Sequence, residues 1–383
     1  MTGILTAIAF LVIFSLLVLV HEIGHFLAAR KAKIKVEEFG LGLPPRAKKL
    51  WKDKKGTLFS LNWIPFGGFV KMLGEDATDE ETLKNPDSFA SKTLWQRFTV
   101  IVAGVTMNFI MAFVLLTIGF TIGMKPFLVT PEDFKKHYEA GNIIGNPQVT
   151  IEQVIEGGPA ENAGVQVGDV VQKINGQQIL YNSDILAMQA GSEEISYEVL
   201  RGEEILTFTM TPDAEDKVGV SLNSFFEIDE IKNVRYPFYI APWEALKKSA
   251  ELGGLTVKMF GQLLVNLTKF IAPKDVAGPV GIVQLTHEIV KVGEFMELVK
   301  FTALLSISLA VINILPFPAL DGGRLVFIIY EAVTRRKPSA TVEAYMHGIG
   351  YLFLMGLILI ITWNDLDRIL NFSGLWSKFI ALF

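Results

Sequence analysis

The stretch L-V-L-V-H-E-I-G-H-F-L-A-A, residues 17–29, places three ionisable side chains within five residues of an otherwise apolar run. From Met1 to Val20 no side chain is ionisable, and apolar residues resume after His25 and continue to Ala29. An apolar run of about 20 residues or more is long enough to cross a bilayer as a helix. Ionisable side chains near the bilayer centre cost roughly 2.5–3.5 kcal/mol each, so they mark functional sites. The sequence therefore predicts a transmembrane helix that contains a polar site.

The spacing within this stretch indicates a metal site. His21 and His25 are four residues apart, so on a helix they project from one face and can bind one metal ion together. Glu22 lies about 100° round the helix, beside that face. In zinc hydrolases with this spacing, the metal acidifies a water molecule and the glutamate accepts its proton. The alternative is a polar helix end at the lipid surface, since Arg30 and Lys31 follow, but that end has no need of two histidines flanking a glutamate.

A catalytic zinc ion needs a third protein ligand, and the residues next along the chain are poor candidates. Ala28 and Lys31 stand where an HExxHxxGxxH continuation would carry glycine and histidine. Glu37 and Glu38 lie in a lysine-rich stretch that is expected to be solvated. The third ligand is therefore expected farther along the chain.

Asp321 is the better candidate for the third ligand. It ends the stretch N-I-L-P-F-P-A-L-D, residues 313–321, and follows a second uncharged run, so its carboxylate is predicted at or near membrane depth. Pro316 and Pro318 would interrupt a helix there, and a membrane tolerates such a break where it lines a polar cavity. Alternatively, Asp321 is only the N-cap of a following helix over 322–333.

These motifs in combination resemble the site-2 protease family of intramembrane zinc metalloproteases, and most closely its bacterial RseP/RasP branch. The resemblance rests on HExxH in the first apolar helix, a distant LDG and a PDZ-like sequence between them, and it covers essentially the whole chain. It implies one zinc ion per chain, held by His21, His25 and Asp321. It implies that Glu22 is the catalytic base. It also implies a set of residues that line the active site, namely Asn108, Asn313, Pro316 and Pro318.

One departure from the family pattern lies near Asn108. The family usually reads AGPxxN, whereas this chain reads A-G-V-T-M-N, with Val105 in place of the proline. The difference concerns the local shape of the backbone and leaves the asparagine in place. The resemblance further implies a location in the inner membrane of a bacterial cell.

Composition and charge predict a multi-pass α-helical membrane protein with a polar insertion. The 383 residues are 50% hydrophobic, with a mean hydropathy of +0.39. Four transmembrane helices are predicted, over 3–29, 98–124, 300–333 (with the proline break) and 343–363. Lysine and arginine are concentrated in 30–55, which places that loop in the cytoplasm. The amino terminus and 125–296 are then extracytoplasmic, and HExxH lies near the cytoplasmic side.

Several classes of function and processing are disfavoured. The chain has no cysteine, so disulfides and thiol catalysis are excluded. The net charge is −5 and no basic patch with interleaved aromatic residues occurs, so no nucleic acid partner is expected. The first apolar segment lacks a basic n-region and a small-residue cleavage site and holds HExxH, so it is not expected to be removed as a signal peptide.

The loop after the first span contains a β-prone stretch, G-T-L-F-S-L-N-W-I-P-F-G-G-F-V-K-M-L, residues 56–73. Two arms flank Pro65, Gly67 and Gly68, which predicts a β-hairpin with a bulged or longer turn. One interpretation is a peripheral cytoplasmic hairpin. The family resemblance implies instead a membrane-associated hairpin beside the active site, whose strand edge could hold a substrate in extended form.

The extracytoplasmic segment contains a sequence similar to the PDZ domains of periplasmic proteases. Residues 149–179 read as a strand, a turn and helix in G-G-P-A-E-N-A-G-V, a strand in V-G-D-V-V, and a turn at I-N-G. Such a domain could bind peptide or protein C-termini, and 217–221 is either its carboxylate-binding loop or an ordinary strand. Farther on, P-W-E-A-L-K-K-S (242–249) reads as the start of an amphipathic helix that could lie on the membrane.

The predicted domains are an N-terminal membrane half (1–124), a linker (125–144), the inserted α+β PDZ domain (145–222), an extracytoplasmic and partly amphipathic linker region (223–296), and a C-terminal membrane half with LDG (297–383).

The interpretation that follows is an intramembrane zinc endopeptidase that cuts single-span membrane segments. By resemblance, its substrates would be anti-sigma factor-like proteins or remnant signal peptides. The alternative is a zinc-binding PDZ membrane scaffold or pseudoprotease, in which a closed four-ligand site would hold the metal for structure only. An open fourth zinc position and Glu22 favour the enzyme. The remaining histidines His137, His287 and His347 are interpreted as structural, and only His347 lies near enough to compete as a ligand.

Overall fold

Apolar runs with few charges form long helices, and the polar middle of the chain forms a separate unit rich in β-structure. The computed structural model describes residues 2–75, 79–179, 192–213, 217–269 and 277–370, together with positions 185 and 188. Unit 1 comprises Met1–Met124 and Arg235–Phe383, and unit 2 comprises Lys125–Val234. Unit 2 is therefore an insertion between the two halves of unit 1.

Numbered along the chain, the helices of the described residues are α1 (Thr2–Lys31), α2 (Glu80–Lys84), α3 (Leu94–Ile122), α4 (Pro131–Glu139), α5 (Pro159–Asn162), α6 (Ala241–Thr268), α7 (Pro279–Val292), α8 (Phe295–Ile314), α9 (Asp321–Thr334) and α10 (Ala340–Leu370). The strands are β1 (Val36–Lys52), β2 (Leu58–Met72), β3 (Ile143–Val154), β4 (Val170–Ile174), β5 (Gln177–Gln178), β6 (Ile195–Arg201), β7 (Glu204–Met210) and β8 (Val220–Ile231).

Four helices, α1, α3, α8 and α10, are long and apolar enough to cross a membrane. Within the part of the chain that the structure describes, the number of such helices equals the predicted number of spans. The third predicted span, 300–333, is not one helix, because α8 ends at Ile314 and α9 begins at Asp321. Pro316 and Pro318 fall between them, where a missing amide hydrogen and the fixed ring prevent the helix from continuing. With 14 residues, α9 is too short to span a bilayer.

The segment predicted as a linker, 223–296, contains two helices that pack against the membrane helices. A side chain at Gly253 of α6 would contact Phe109 of α3 and Ile307 of α8. α7 joins an apolar cluster with α1 and α8. The predicted amphipathic stretch 242–249 lies within the first turns of α6. An amphipathic pattern shows that one face is buried, but it does not reveal that the burying surface is a membrane helix.

The start of α7 is held by a buried carboxylate. Gly281 N–H donates to Asp365 Oδ2 of α10 at 2.7 Å. A Cβ at Gly278 would lie 2.7 Å from Ile361 Cγ2 and 2.8 Å from Asp365 Oδ2. The stretch G-P-V-G-I (278–282) therefore carries its glycines because α10 passes directly against the first turn of α7.

The segment between α1 and α3 forms one antiparallel pair, in which β1 and β2 are joined by the turn at residues 53–57. Asp53 Oδ1 accepts from the backbone N–H groups of Lys55 and Thr57 and so fixes the turn. The prediction of a hairpin within 56–73, with its turn near Pro65, was wrong, because the turn lies at 53–57. β2 runs through Pro65 as one bent strand.

The pairing register explains this correction. Residues 36–41 of β1 pair with 68–72 on one side and with 58–61 on the other. The two arms of the predicted hairpin therefore flank the same strand and do not pair with each other. Pro65 falls between the two paired regions, where its missing amide hydrogen breaks no ladder bond. The second half of β1, 46–52, pairs with 58–62, so most of the lysine-rich stretch expected to be solvated is a strand.

Unit 2 is built on an antiparallel sheet with the strand order β7-β6-β4-β3-β8, and β5 lies beside β4. The elements predicted for 149–179 are present: β3, α5 with Pro159 in its first turn, β4, and a turn with positive φ at Asn175 and Gly176. The sheet encloses an apolar core that includes Ile151, Ile174 and Tyr197.

Unit 2 extends beyond the segment 145–222 that was predicted as its PDZ domain. The predicted linker 125–144 contains α4 and the start of β3, and β8 continues to Ile231. In 217–221, the Gly219 carbonyl accepts from Ile155 N–H and β8 begins at Val220. Within the predicted segment, residues 180–184, 186, 187, 189–191 and 214–216 lie outside the described residues.

Candidate metal centre

α1 and α3 approach so closely that no side chain fits between them at two positions. A Cβ at Gly24 would lie 2.3 Å from the Ala103 carbonyl oxygen, and one at Gly104 would lie 2.3 Å from His25 Nε2. Both positions require glycine, because backbone and ring atoms make the contact themselves. The close approach buries His21 and His25, which are only 6% and 7% exposed.

α3 also sets the orientation of both imidazole rings. His25 Nδ1 lies 2.9 Å from the carbonyl oxygen of Val100. A carbonyl oxygen can only accept, so this nitrogen carries the proton and donates. The side-chain amide of Asn108 lies 3.4 Å from His21 Nδ1. Both rings thereby present Nε2 to the same point, and the two Nε2 atoms are 3.0 Å apart.

The break between α8 and α9 folds back over the first turn of α9. A Cβ at Gly322 would lie 2.0 Å from the Leu315 carbonyl oxygen, and one at Gly323 would lie 2.4 Å from that of Phe317. The two glycines therefore allow the tight turn that projects the carboxylate of Asp321 from the start of α9. The N-cap residue is Leu320, so the alternative in which Asp321 is only the cap does not hold.

Three atoms of the kind that bind metals meet between α1 and α9. Asp321 Oδ2 lies 3.1 Å from His21 Nε2 and 3.2 Å from His25 Nε2. Among the described residues, these three form a group that could hold a metal ion. Two of them come from one helix and the third comes from a position 296 residues after the second, so the fold assembles the group from both halves of unit 1.

The donor set fits zinc. His25 carries its proton on Nδ1, so its Nε2 presents a lone pair, and His21 Nε2 does the same when the His21 proton is on Nδ1. The carboxylate oxygen that faces both nitrogens is also an acceptor. Asp321 Oδ2 is buried and has no hydrogen-bond partner among the described residues. Zinc bonds of about 2.0–2.1 Å at tetrahedral angles place two ligand atoms about 3.3 Å apart. The measured separations are 3.0–3.2 Å, so a cation between the three atoms would satisfy all of them.

Glu22 lies beside this group and outside it. The backbone amide of Val70 in β2 lies near the Glu22 carboxylate. A Cβ at Gly68 would come within 3.9 Å of Glu22 Cγ, so the backbone of β2 passes close to this side chain. Glu75 is near enough to repel the Glu22 carboxylate and itself lies 3.5 Å from Arg324. Glu22 is therefore a carboxylate that lies close to the group of His21, His25 and Asp321 without being part of it.

The other predicted site residues fall into two places. Asn108 is brought to His21, whereas the last turn of α8 and the break after it contain Asn313, Pro316 and Pro318. His347 is outside the ligand group, and its Nδ1 accepts from the backbone N–H of Ala319 within the break. The other two histidines interpreted as structural lie in α4 and α7, outside the group as well.

Several residues that shape the site were missed at the level of sequence. Val70 and Val100 act through a backbone amide and a backbone carbonyl, which leave no trace in side-chain patterns. Gly104 and Gly24 act by lacking a side chain. The glycine inside H-E-I-G-H was a usable signal. A glycine in a helix interior lowers helix stability, so it is expected where another element must approach closely.

Comparison with known proteins identifies the family of the chain. A model of peptidase family M50 matches residues 9–357 of the chain. The chain is 30% identical to the regulator of sigma-W protease RasP of Bacillus subtilis, with 95% of this chain and 99% of the relative covered. It is 31% identical to a putative zinc metalloprotease of Fusobacterium nucleatum (96% and 100% covered) and 29% identical to the regulator of sigma E protease of Haemophilus influenzae (94% and 98% covered).

Among solved structures, the HtrA3 PDZ domain bound to a phage-derived ligand covers 27% of this chain and 86% of its own length, at 18% identity. Its TM-score of 0.17 is too low to establish a shared fold. The family match, in contrast, spans most of the chain and confirms the resemblance that the motifs predicted. The chain belongs to peptidase family M50, the site-2 protease family of zinc metalloproteases.

Proposed function

We propose that this chain is an intramembrane zinc endopeptidase that holds one zinc ion through His21, His25 and Asp321 and uses Glu22 as the catalytic base. The observation that carries the proposal is the meeting of two Nε2 atoms from α1 and one carboxylate oxygen from the start of α9, all within 3.2 Å of one another. Three protein ligands leave a fourth zinc position, as in catalytic sites, whereas structural sites use four protein ligands.

When bound, zinc supplies a Lewis acid that polarises a peptide carbonyl and lowers the pKa of a water molecule. The chain's own residues complete the chemistry. Glu22 accepts the proton of the attacking water and can pass it to the leaving amine. The backbone amide of Val70 lies near the Glu22 carboxylate and is proposed to orient this base before a substrate arrives.

Asn108 is proposed to orient His21. A ring that binds metal through Nε2 carries its proton on Nδ1 and needs an acceptor there. Asn108 Nδ2 lies 3.4 Å from that atom, and Asn108 Oδ1 is buried without a hydrogen-bond partner among the described residues. A half-turn of the amide group would exchange these two atoms and make Oδ1 the acceptor. In the metal-bound form, Asn108 Oδ1 then accepts from His21 Nδ1–H, as the Val100 carbonyl accepts from His25 Nδ1–H.

The pair β1 and β2 is proposed to receive the substrate in extended form. Residues 68–72 have β1 on one side, and Val70 N–H reaches Glu22. A substrate strand added along 68–72 would therefore lie against the base. Near the bends of the pair, Trp63, Ile64 and Phe66 are exposed apolar side chains, which fits a hairpin that dips into the membrane. Strand addition solves a chemical problem, because a helical substrate hides its peptide bonds in its own hydrogen bonds.

The proposed topology places the amino terminus and unit 2 outside the cytoplasm of a bacterial cell, with the site near the cytoplasmic side of the inner membrane. The lysine and arginine excess in 30–55 supports this orientation. A cavity of about 300 Å³ is lined by Glu75, Arg97, Arg324 and His347 among others, and Glu75 is the carboxylate near Glu22. Its charged lining supports a supply of water from the cytoplasmic side.

The proposed substrates are single-span membrane proteins of the anti-sigma factor type, or remnant signal peptides. Two relatives with nearly full mutual coverage are named regulators of sigma-W and sigma E, and this supports the first class. Unit 2 is proposed to be a PDZ domain that binds peptide or protein C-termini and filters substrates outside the membrane.

The proposal is tested with the purified full chain in liposomes that contain a single-span reporter tagged at both ends. We expect close to one zinc ion per chain and cleavage of the reporter within its apolar segment. A zinc chelator should stop cleavage, and added zinc should restore it. Stoichiometric zinc without cleavage of any reporter would instead support the alternative of a zinc-binding scaffold.

Excision of unit 2 is expected to preserve catalysis and broaden substrate choice. Tyr236 N–H donates to the Phe120 carbonyl and Arg235 Nε to the Thr121 carbonyl, so the chain leaves unit 1 and returns to it at adjacent points. Residues 125–234 can therefore be replaced by a short Gly/Ser linker. Cleavage of a short reporter should stay within a few-fold of the full chain, and reporters with a bulky extracytoplasmic domain should become substrates. Loss of cleavage in an inserted, zinc-loaded variant would contradict the filter role.

A further inference from the structure

The break between α8 and α9, which precedes Asp321, is contacted by α10. His347 Nδ1 accepts from the backbone N–H of Ala319 at 2.9 Å. One turn along α10, a Cβ at Gly350 would lie 2.5 Å from both Cβ and the carbonyl oxygen of Pro318. The first contact is a hydrogen bond, and the second is a steric fit that excludes any side chain.

A third contact lies one turn farther along α10. The ring of Phe353 stands 5.3 Å from that of Phe317, measured between centroids. Positions 347, 350 and 353 are spaced three apart, so they lie along one face of α10. That face contacts three consecutive residues of the break, 317–319, in reverse order. α10 therefore follows the break residue by residue.

The backbone of the break needs such support. Ala319 has φ of +74°, in the left-handed region that side chains with a Cβ disfavour. A residue in this region persists only where the surrounding structure enforces it. Leu320 N–H donates within the break, to Phe317, whereas Ala319 N–H donates to another helix.

We infer that His347 is a positioning residue, which fixes the left-handed turn at Ala319 and thereby the place of the Asp321 carboxylate at the metal centre. The inference rests on the proposed role of Asp321 as a zinc ligand. Since His347 Nδ1 accepts a hydrogen bond, its ring proton is on Nε2. The imidazole acts through the backbone of the break, and His347 is not a member of the group of His21, His25 and Asp321.

The geometry shows why a contact two residues from the ligand matters. Asp321 Oδ2 must meet two Nε2 atoms whose positions α1 and α3 already fix. Metal–ligand distances tolerate only about 0.2 Å of variation. On the α9 side, Gly322 and Gly323 press against the carbonyls of 314, 315 and 317, and on the other side α10 presses against 317–319. The break is held between these two surfaces, and His347 provides the directional bond.

The first test measures amide hydrogen exchange in the full chain after a chelator has removed metal, so its outcome does not depend on zinc. His347→Leu removes the acceptor, and His347→Asn has nearly the same shape but keeps an acceptor oxygen close to the position of Nδ1. We expect His347→Leu to speed exchange at Ala319 by about five- to tenfold, the factor for one lost hydrogen bond. His347→Asn should exchange nearly as the unchanged chain does. Equal behaviour of the two variants would overturn the inference.

The second test measures zinc affinity by competition with a chelator. Residues that orient a metal ligand typically contribute about 10–100-fold to affinity. We expect a loss in this range for His347→Leu and for Gly350→Ala, and values within about threefold of the unchanged chain for His347→Asn. Gly348→Ala is the matched control, because a Cβ there meets nothing within 4 Å, and it should bind zinc normally.

The two tests separate this inference from the proposed function. If Asp321→Ala binds zinc normally, the proposed third ligand is wrong, whatever the exchange at Ala319 shows. If Asp321→Ala loses zinc while His347→Leu keeps full affinity, the ligand stands and the positioning role is overturned. Equal zinc affinities for Gly350→Ala and Gly348→Ala would likewise overturn the inference, because the close contact of Gly350 with Pro318 would then have no effect on the metal centre.

Discussion

Replacement of Glu22 by glutamine is expected to lower the rate of peptide cleavage by about 10²–10⁴-fold, the range for loss of a general base. Glutamine keeps the size and shape of the side chain but cannot accept the proton from water. His21 and His25 are untouched, and Glu22 is not part of the ligand group. The variant should therefore insert, bind zinc close to one per chain, and still capture substrate. Zinc analysis and reporter cleavage on the same preparation test this directly.

A matched substitution outside the site serves as the control. Glu37→Gln makes the same chemical change on a partly exposed carboxylate that pairs with Lys71. Exposed ion pairs contribute only about 0–1 kcal/mol, so Glu37→Gln should cleave nearly normally. A scaffold would behave differently from a protease, because its cellular function would survive Glu22→Gln. Normal reporter cleavage by Glu22→Gln would end the assignment of Glu22 as base.

Replacement of Asp321 by alanine is expected to weaken zinc binding by more than about 100-fold, beyond the 10–100-fold typical of residues that only orient a ligand. The two histidines alone cannot complete a catalytic zinc site, which needs three protein ligands. The change removes the acceptor that faces both Nε2 atoms at 3.1 Å and 3.2 Å. Zinc content after dialysis against a weak chelator, followed by reporter cleavage, measures the effect.

The control for this variant is a substitution of another histidine in unit 1. His287 of α7 lies 2.9 Å from Thr6 Oγ1 and is outside the ligand group. His287→Ala should therefore retain zinc. The opposite pattern, with zinc kept by Asp321→Ala and lost by His287→Ala, would reassign the third ligand.

The part of the candidate site that could be predicted from the sequence is the part formed by side chains close together along the chain. H-E-I-G-H predicts the geometry of its two histidines, because helical periodicity brings His21 and His25 to one face. L-D-G-G could be connected to the same site only because a carboxylate at membrane depth is energetically costly and therefore indicates a functional site. The partners that orient these side chains were not accessible. The Val100 carbonyl and the Val70 amide are backbone groups, and every residue has them.

The β-structure next to the site was misread for a definite reason. Pro65 and Gly67 are typical of turns, so the pattern of 56–73 favours a hairpin within that stretch. The structure uses them to shift a strand sideways between two paired regions, and that depends on β1, which lies earlier in the chain. Half of β1 is lysine-rich and exposed, so its sequence resembles a solvated loop.

α6, α7 and His347 show the same limit at longer range. Amphipathic periodicity predicts that one face of α6 is buried, but the partner surfaces on α3 and α8 come from distant parts of the chain. His347 was interpreted as structural and lies outside the group of three, yet its contact with Ala319 depends on how α10 returns past the break. No spacing rule connects residues 28 positions apart across a proline-rich turn.

The glycine contact between α1 and α3 has a consequence for sequence drift. Because Gly24 and Gly104 bring backbone atoms and a ring together directly, the distance between the two helices depends on no side chain that faces lipid. Leu27 and Ile110, on the outer faces, are about half exposed and can be exchanged for other apolar residues without moving His25. The lipid-facing surface can therefore change with the thickness or composition of the bilayer while the metal geometry stays constant.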